Sequence, residues 1–371
     1  MALRANIVAL DSGIKHYIKM IKDNGLTHTS SREFPLISAS CISLGYTKLL
    51  KKAVGYSYNT TGSIGKKNQA NFLINENKVG ESVGKMLKRK NLNSLIQKMK
   101  GFFDKNKQLI MRAKKEKDYF KTLEVILNVY PQVFSQTGFY NSIMRYAQND
   151  QHRAKKLGSL AFFVARDKDV AANLIYPVIE PLIKKCVNKI GKTFCFDGDL
   201  LRYTTLQELK KFIKEKKISK NNIIGLSKRR KGYLYLFQKG KEYITSDQDV
   251  IHGVYKTFIN AKKNINILEG TTAYPGKVTG KVYKAFHGVK ISKPGYVLVT
   301  NITKPADTPH LKKFAGIITN EGGILSHIAV FAREFKIPSI MSTKIATKVL
   351  KDGDLVEVDA DRGIVRLLKK S

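Results

Sequence analysis

Gly322-Gly323 followed by Ser326-His327 is the stretch of the 371-residue chain whose residue types best suit chemistry. It follows the apolar run Ile317-Ile318-Thr319 and precedes Ile328-Ala329-Val330-Phe331-Ala332-Arg333-Glu334. The pattern reads as a buried strand ending at Thr319, a tight glycine turn and a helix that begins near Ser326. Free backbone N–H groups and the positive end of the helix dipole face outward at such a start and attract a phosphate. The two glycines let the backbone come close to a phosphoryl group. A neutral imidazole is a good nucleophile near pH 7, so His327 is placed to take a phosphoryl group on a ring nitrogen. A histidine at a helix start also serves as a cap or a half-buried packing residue, and these residues alone leave both readings open.

The surrounding block carries a resemblance. Gly322-Gly323-Ile324-Leu325-Ser326-His327-Ile328-Ala329, then Ala332-Arg333-Glu334 and Ile337-Pro338, resembles the phosphohistidine signature of the phosphoenolpyruvate-utilising enzymes. That family includes phosphoenolpyruvate synthase, pyruvate phosphate dikinase, rifampin phosphotransferase and enzyme I of the sugar phosphotransferase system. Thr272-Ala273-Tyr274-Pro275-Gly276-Lys277 with Gly280-Lys281-Val282 resembles its opening strand, and Gly295 to Val299 leads to Thr303-Lys304-Pro305 as in the family. Asp352-Gly353-Asp354, Val358-Asp359 and Gly363 resemble its closing strands. The resemblance covers about residues 268 to 371. It implies His327 as phosphoryl carrier, Gly322 and Gly323 beside the phosphate, and Ser326, Arg333, Thr303 and Thr319 as phosphate contacts. Two departures are visible: Ile328 replaces a small residue, and Ser342-Thr343 stands where a glycine is common. Either could narrow the pocket.

The elements that position this segment are expected in an α+β arrangement of three parts: a mixed region over 1–81, a mainly helical region with a β-hairpin over 82–264, and a swivelling β/β/α phosphohistidine domain over 265–371. Residues 1 to about 80 give little periodicity, with a turn at Arg32 to Leu36 and a short strand at Gly55 to Tyr58. Helical stripes follow at Leu92, Leu95, Ile96 and Met99; at Leu123, Ile126, Leu127 and Tyr130; and at Leu157, Leu160, Phe163 and Val164. Ala171 to Val187 reads as helical, with Pro177 and Pro181 marking bends. Thr204 or Thr205 caps a helix from Leu206 to about Lys216. Tyr233 to Phe237 with Lys239-Gly240-Lys241 reads as strand and turn, Ser246 to Asp249 as a polar connection, and Ala261 to Asn264 as a linker. Strands are expected at 280–283, 296–299, 316–319, 355–358 and 364–368. Leu201 to Leu209 followed by Arg229-Arg230-Lys231-Gly232-Tyr233 loosely resembles the connecting region of the synthase-like members.

Hydrophobic residues make up 43% of the chain, enough for real cores and too many for general disorder. Cys41, Cys186 and Cys195 lack metal or redox spacing and read as reduced cytosolic thiols, which places the protein in the cytoplasm. No run approaches about 18 consecutive apolar residues, and Arg4, Asp11 and Lys15 break the first segment, so neither membrane span nor signal peptide is expected. Gly80-Glu81-Ser82-Val83-Gly84-Lys85-Met86 has the wrong spacing for a P-loop. An ATP-grasp domain needs roughly two hundred residues and finds no room, nor does a barrel for phosphoenolpyruvate. No cofactor or metal is expected on this chain; ATP and Mg²⁺ are expected through a separate ATP-grasp partner, with the phosphoryl acceptor unnamed. Two rival readings are a catalytically silent regulatory module and a basic nucleic-acid-binding protein.

Charge bears on the last of these. The chain holds 67 Lys and Arg against 29 Asp and Glu, net +38, yet the excess is spread out. From Leu268 onward there are 17 basic and 9 acidic residues, and no long basic tail stands anywhere. Without an aromatic-rich binding signature, duplex or single-stranded nucleic acid is not the expected partner. Binding to either is expected to be weak, non-specific and lost near physiological salt, because counterion release would be its main drive. A filter-binding titration against salt checks this, and nanomolar affinity for a defined sequence at physiological salt would reverse it.

Overall fold

The computed structural model describes residues 2–66, 69–88, 91–147, 153, 157, 160–259, 266–285, 293–303, 307–323 and 326–371; of residues 2–12, 160–162, 308 and 327 it describes the backbone. The chain mixes helices and strands, an α+β fold, and divides into two compact units. One unit comprises Met1–Ser142 and Arg166–Ala261, the other Ile143–Ala165 and Lys262–Ser371. The linker expected at Ala261 to Asn264 lies outside the described residues. No helix among the described residues is long and apolar enough to cross a membrane.

The first unit is organised by an antiparallel sheet of β1 (Thr27–Arg32), β2 (Thr60–Lys66), β3 (Gln69–Ile74), β4 (Gly232–Gln238) and β5 (Lys241–Thr245), in the order β1-β3-β2-β4-β5. β2 pairs with β4 from Thr60↔Gln238 to Lys66↔Gly232, so the boundary expected at 81 does not divide the protein there. Strands flanking the helical stretch in sequence close on one another because each needs a neighbour for its backbone N–H and C=O groups. β4 shows why it is central. Leu234 and Leu236 join a core with Ile64, Leu73, Val250 and Val254, while Tyr233, Tyr235 and Phe237 join another with Leu36 and Tyr203. Alternation with both sets buried marks a strand covered on both faces.

The helix Leu36–Leu44 is buried along nearly its whole length, which suits the sequence LISASCISL, free of charge and with serine as its only polar residue type. At its end Gly45 meets the Pro131 carbonyl; a Cβ there would lie 2.5 Å from that oxygen, so only glycine admits the approach. The expected stripes are buried at Leu92, Leu95, Ile96 and Met99 within Leu92–Ala113, and at Leu123, Ile126, Leu127 and Tyr130 within Tyr119–Ala147. Phe163 departs from its stripe and is 40% exposed. Pro177 lies in a π-helical turn, Ile175–Ile179, and Pro181 at the start of Glu180–Thr193, both places where a missing N–H is tolerated. Thr205 caps Leu206–Glu215 in a capping box with Glu208. The family-like residues here act as fasteners: Arg229 holds Glu208 in two bonds of 2.6 and 3.0 Å, and Arg230 meets Asp197 at 2.5 Å. Burial pushes the Glu208 carboxyl up, but Arg229 and the Thr205 amide outweigh it and leave it below the usual range.

Three segments differ from expectation. Gly55 to Tyr58 is no strand: Gly55 ends the Leu50–Val54 helix with a φ of +93°. Asp247 caps a helix, Gln248–Phe258, where a connection was expected. Ala2–Asp23 is helical, where no helix was expected. Both helices contribute to one sheet-face core, through Ile21 and through Val250, Ile251 and Val254.

The second unit contains one sheet of eight strands. They are β6 (Ile267–Glu269), β7 (Thr271–Tyr274), β8 (Lys277–Ala285), β9 (Val297–Thr300), β10 (Gly316–Thr319), β11 (Ser339–Met341), β12 (Leu355–Asp359) and β13 (Ile364–Lys369), in the order β6-β13-β12-β8-β9-β10-β11-β7. β8 serves two halves: Lys277 to Lys281 pair antiparallel with β12, and Val282 to Ala285 pair parallel with β9. Val297, Val299 and Ile318 face a core shared with Val356, Val358 and Val365 of the antiparallel half. Leu298 and Ile317 face a second core with Ile328, Ala329 and Phe331 of the helix His327–Glu334. Glu357 on β12 takes Lys277 of β8 at 3.0 Å and Arg366 of β13 at 2.5 Å, a cross-strand ladder that holds its carboxyl below the usual range.

The first unit also buries a carboxyl group. Glu180 accepts from Ser38 Oγ at 2.5 Å and from Tyr130 Oη, with an Arg202 nitrogen 3.8 Å away. Burial pushes its carboxyl above the usual range, and these neighbours only partly oppose it. The folded chain therefore holds this proton more tightly than the unfolded chain. Stability from this group is greatest below the unfolded pKa and declines as pH rises through the interval up to the folded pKa. Glu180→Gln, which cannot titrate, is expected to gain melting temperature relative to wild type progressively as pH rises above the ordinary carboxylate range, where the unfolded group is already ionised. Thermal melts of both proteins over that rise in pH check this, and a pH-independent difference would contradict it.

Candidate functional site

The site is assembled at the carboxyl ends of three parallel strands. β9 and β10 pair in register from Val297↔Gly316 to Thr300↔Thr319, and β10 pairs with β11 through Ile318↔Ile340. Residues 301–303, 320–323 and 342–344 therefore leave the sheet at one edge, where ligands of such sheets characteristically bind. The expected strand 316–319 is observed with those limits, and the helix begins at His327 with Ser326 as its N-cap.

The turn between them is internally bonded. Thr319 is fully buried, and its Oγ1 donates to the Glu321 carbonyl at 2.6 Å. Gly322 adopts a φ of +105°, a left-handed conformation that favours glycine. The Gly323 carbonyl accepts from Ser326 N at 2.8 Å and Ser326 Oγ at 2.6 Å, and Ser326 Oγ accepts from Ala329 N at 3.4 Å. Among the described residues, no acceptor takes the amides of Gly323 or Ile328. They are open donors at the positive end of the helix.

Asn320 ties the edge together. Its Nδ2 donates to Asn301 Oδ1 at 3.1 Å and Thr347 Oγ1 at 2.5 Å, and its Oδ1 accepts from Thr347 N at 2.9 Å. Asn301 in turn donates to Glu321 Oε1 at 3.0 Å. Thr343 donates to the Thr319 carbonyl through Oγ1 at 2.9 Å and through N at 3.0 Å. Ser342 Oγ donates to the Gly322 carbonyl. Sequence reading missed Asn301 and Asn320, whose only signal is that polar residues directly follow apolar strands, and it noted Ser342 only as a departure that could narrow the pocket.

The structure brings Thr303, Thr319, Gly322, Gly323, Ser326 and the backbone of His327 to this edge, with differing roles. The hydroxyls of Thr319 and Ser326 are engaged in the turn and the cap. Thr303, 8% exposed, has a buried Oγ1 with no partner among the described residues. Arg333 is not brought in. It lies exposed in the last turn of the helix, about 9 Å along the axis and about 120° around it from His327, where its charge suits the negative end of the dipole. Ile328 does not narrow a pocket: it is 2% exposed and packs with Leu311, Phe314 and Ile317. Lys304, Pro305, Ile324 and Leu325 lie outside the described residues. Among the described residues, no three or more His, Cys, Asp or Glu gather as a metal centre would.

A sheet whose parallel strand ends meet a glycine turn and a helix start is the kind of module that binds phosphate. Residues 292–363 match the family described as PEP-utilising enzyme, mobile domain, so the family resemblance holds for this region. Among curated proteins, a probable phosphoenolpyruvate synthase of Archaeoglobus fulgidus is 46% identical over 101 residues, 27% of this chain and 13% of that protein. A probable phosphoenolpyruvate synthase of Pyrococcus abyssi is 48% identical over 101 residues, 27% of this chain and 12% of that protein. An uncharacterized phosphotransferase of Bacillus subtilis is 34% identical over 139 residues, 37% and 16% of the respective lengths. The chain thus matches only a small part of each of these relatives.

The position of Ile328 yields a direct expectation. Ile328→Ala restores the small residue common in the family, yet it is expected to cost about 2–5 kcal/mol of stability, because it empties a core site. Chemical denaturation measures it; a loss below about 1 kcal/mol would mean that the side chain is not packed as described.

Proposed function

We propose that this protein is a phosphotransferase component in which His327 carries the phosphoryl group. The observation that carries the reading is the meeting of three parallel strand ends with the start of the helix whose first residue is His327. Open amides at Gly323 and Ile328 would bind the phosphoryl oxygens, and preorganised donors of this kind are the main source of stabilisation in phosphoryl transfer. The Thr303 hydroxyl, without a partner among the described residues, adds a further donor. A neutral ring nitrogen of His327 forms the P–N bond while the bond from phosphorus to the donor's leaving oxygen breaks. The relatives, described as phosphoenolpyruvate synthases and a phosphotransferase, support the same chemistry.

The donor in this proposal is a separate ATP-grasp protein that supplies ATP and Mg²⁺, and the acceptor is a small molecule or group still to be identified. The experiment is incubation of the full chain with a cognate ATP-grasp protein and labelled ATP, read by mass spectrometry. The expected label lies on His327, survives alkali and is lost in mild acid, because protonating the phosphoramidate nitrogen makes it a good leaving group. His327→Ala is expected to abolish it. Acid-stable label, or label persisting in His327→Ala, would place the carrier elsewhere.

A further inference from the structure

The chain leaves β11 at Met341 and turns at Ser342 with a φ of +59°, a left-handed conformation that a residue with a side chain occupies at a cost. A glycine would fit this backbone more easily, but it would lack the hydroxyl that donates to the Gly322 carbonyl. That bond has a consequence one residue on. In a trans peptide the carbonyl of one residue and the N–H of the next point in opposite directions. Holding the Gly322 carbonyl on Ser342 therefore turns the Gly323 N–H away from the end of β11. Among the described residues no acceptor takes that N–H. The Gly323 carbonyl is bound by both N and Oγ of Ser326, so the clamped turn continues into the cap that precedes His327.

We propose that Ser342 is a positioning residue: its hydroxyl holds the Gly322–Gly323 peptide so that the Gly323 N–H is aimed at the oxygens of a phosphoryl group on His327. The proposal rests on the reading of His327 as carrier. The left-handed backbone at Ser342 is what brings its short side chain against the turn, and the bond offsets the strain.

Two variants separate clamp from strain. Ser342→Gly removes the hydroxyl and relieves the backbone, whereas Ser342→Ala removes the hydroxyl and keeps the strain. In single-turnover phosphorylation of the full chain by its ATP-grasp donor, both are expected to slow labelling of His327 about tenfold, the effect of one misdirected hydrogen-bond donor. Thermal melts are expected to diverge, with Ser342→Gly above Ser342→Ala, so the shared loss of rate would not follow stability. A folded Ser342→Gly that is labelled at the wild-type rate overturns the proposal. Should wild type take no label from the donor, the reading of His327 fails first, and NMR then decides the role of Ser342. The Gly323 amide resonance, which senses hydrogen bonding at the Gly322 carbonyl, is expected to shift or broaden in both variants. An unchanged resonance in both overturns the clamp.

Discussion

Parallel pairing of β9, β10 and β11 is the constraint on which the site depends. Parallel strands need a connection that returns to the starting edge, so the chain after each strand must cross a face of the sheet before the next begins. The helix His327–Glu334 is such a return, lying between β10 and β11 in sequence. It must begin at the edge where Thr319 ends. The same geometry sends Asn301 to Thr303 and Ser342 to Lys344 to that edge, although they lie about twenty residues on either side. Both faces of these strands then have to be covered, which accounts for the two cores. Val297, Val299 and Ile318 meet the antiparallel half, and Leu298 and Ile317 meet the helix.

Hydrophobic burial holds the layers together but does not fix where a turn points. That is done by side-chain polar groups whose burial would be costly if they were unpaired. Asn320 joins the exits of β9 and β10 to the Ala346–Val349 helix, Thr343 returns to the Thr319 carbonyl, and Ser326 closes the glycine turn onto the helix. A network whose members are satisfied by one another has few alternative arrangements, so the open amides stand at definite places. The first unit uses similar fasteners for a different end. Ser38 and Tyr130 hold Glu180, and Ser40 and Tyr235 both donate to Glu242 at 3.0 Å.

Much of the second unit was legible because its signals are local. An apolar run ended by Thr319, two glycines, a capping serine and an amphipathic helix are read within eighteen consecutive residues. The same holds for Thr205 with Glu208, and for the hairpin at Lys239-Gly240, whose φ values of +49° and +83° suit the tight turn between β4 and β5. Ala2–Asp23 was overlooked although Ile14, Tyr17, Ile18 and Ile21 follow the helical period and pack into one core. Gln248–Phe258 was hidden by its cap: Ser246-Asp247-Gln248-Asp249 resembles a loop until Asp247 is seen to accept from the amides of Asp249 and Val250. The strands β6, β7 and β11 have three, four and three residues, too short for alternation to show.

The sequence by itself determined the strand, turn and helix around His327, the cap at Ser326 and the need for glycine at 322, since each depends on neighbours in the chain. Only the tertiary structure decided that the strands before and after the helical stretch share one sheet and that Ile328 belongs to a core. It alone brought Ser342 to Gly322 and Asn320 to Asn301 and Thr347. These are pairings between residues 19 to 27 positions apart, which exist only once parallel strands have aligned their ends.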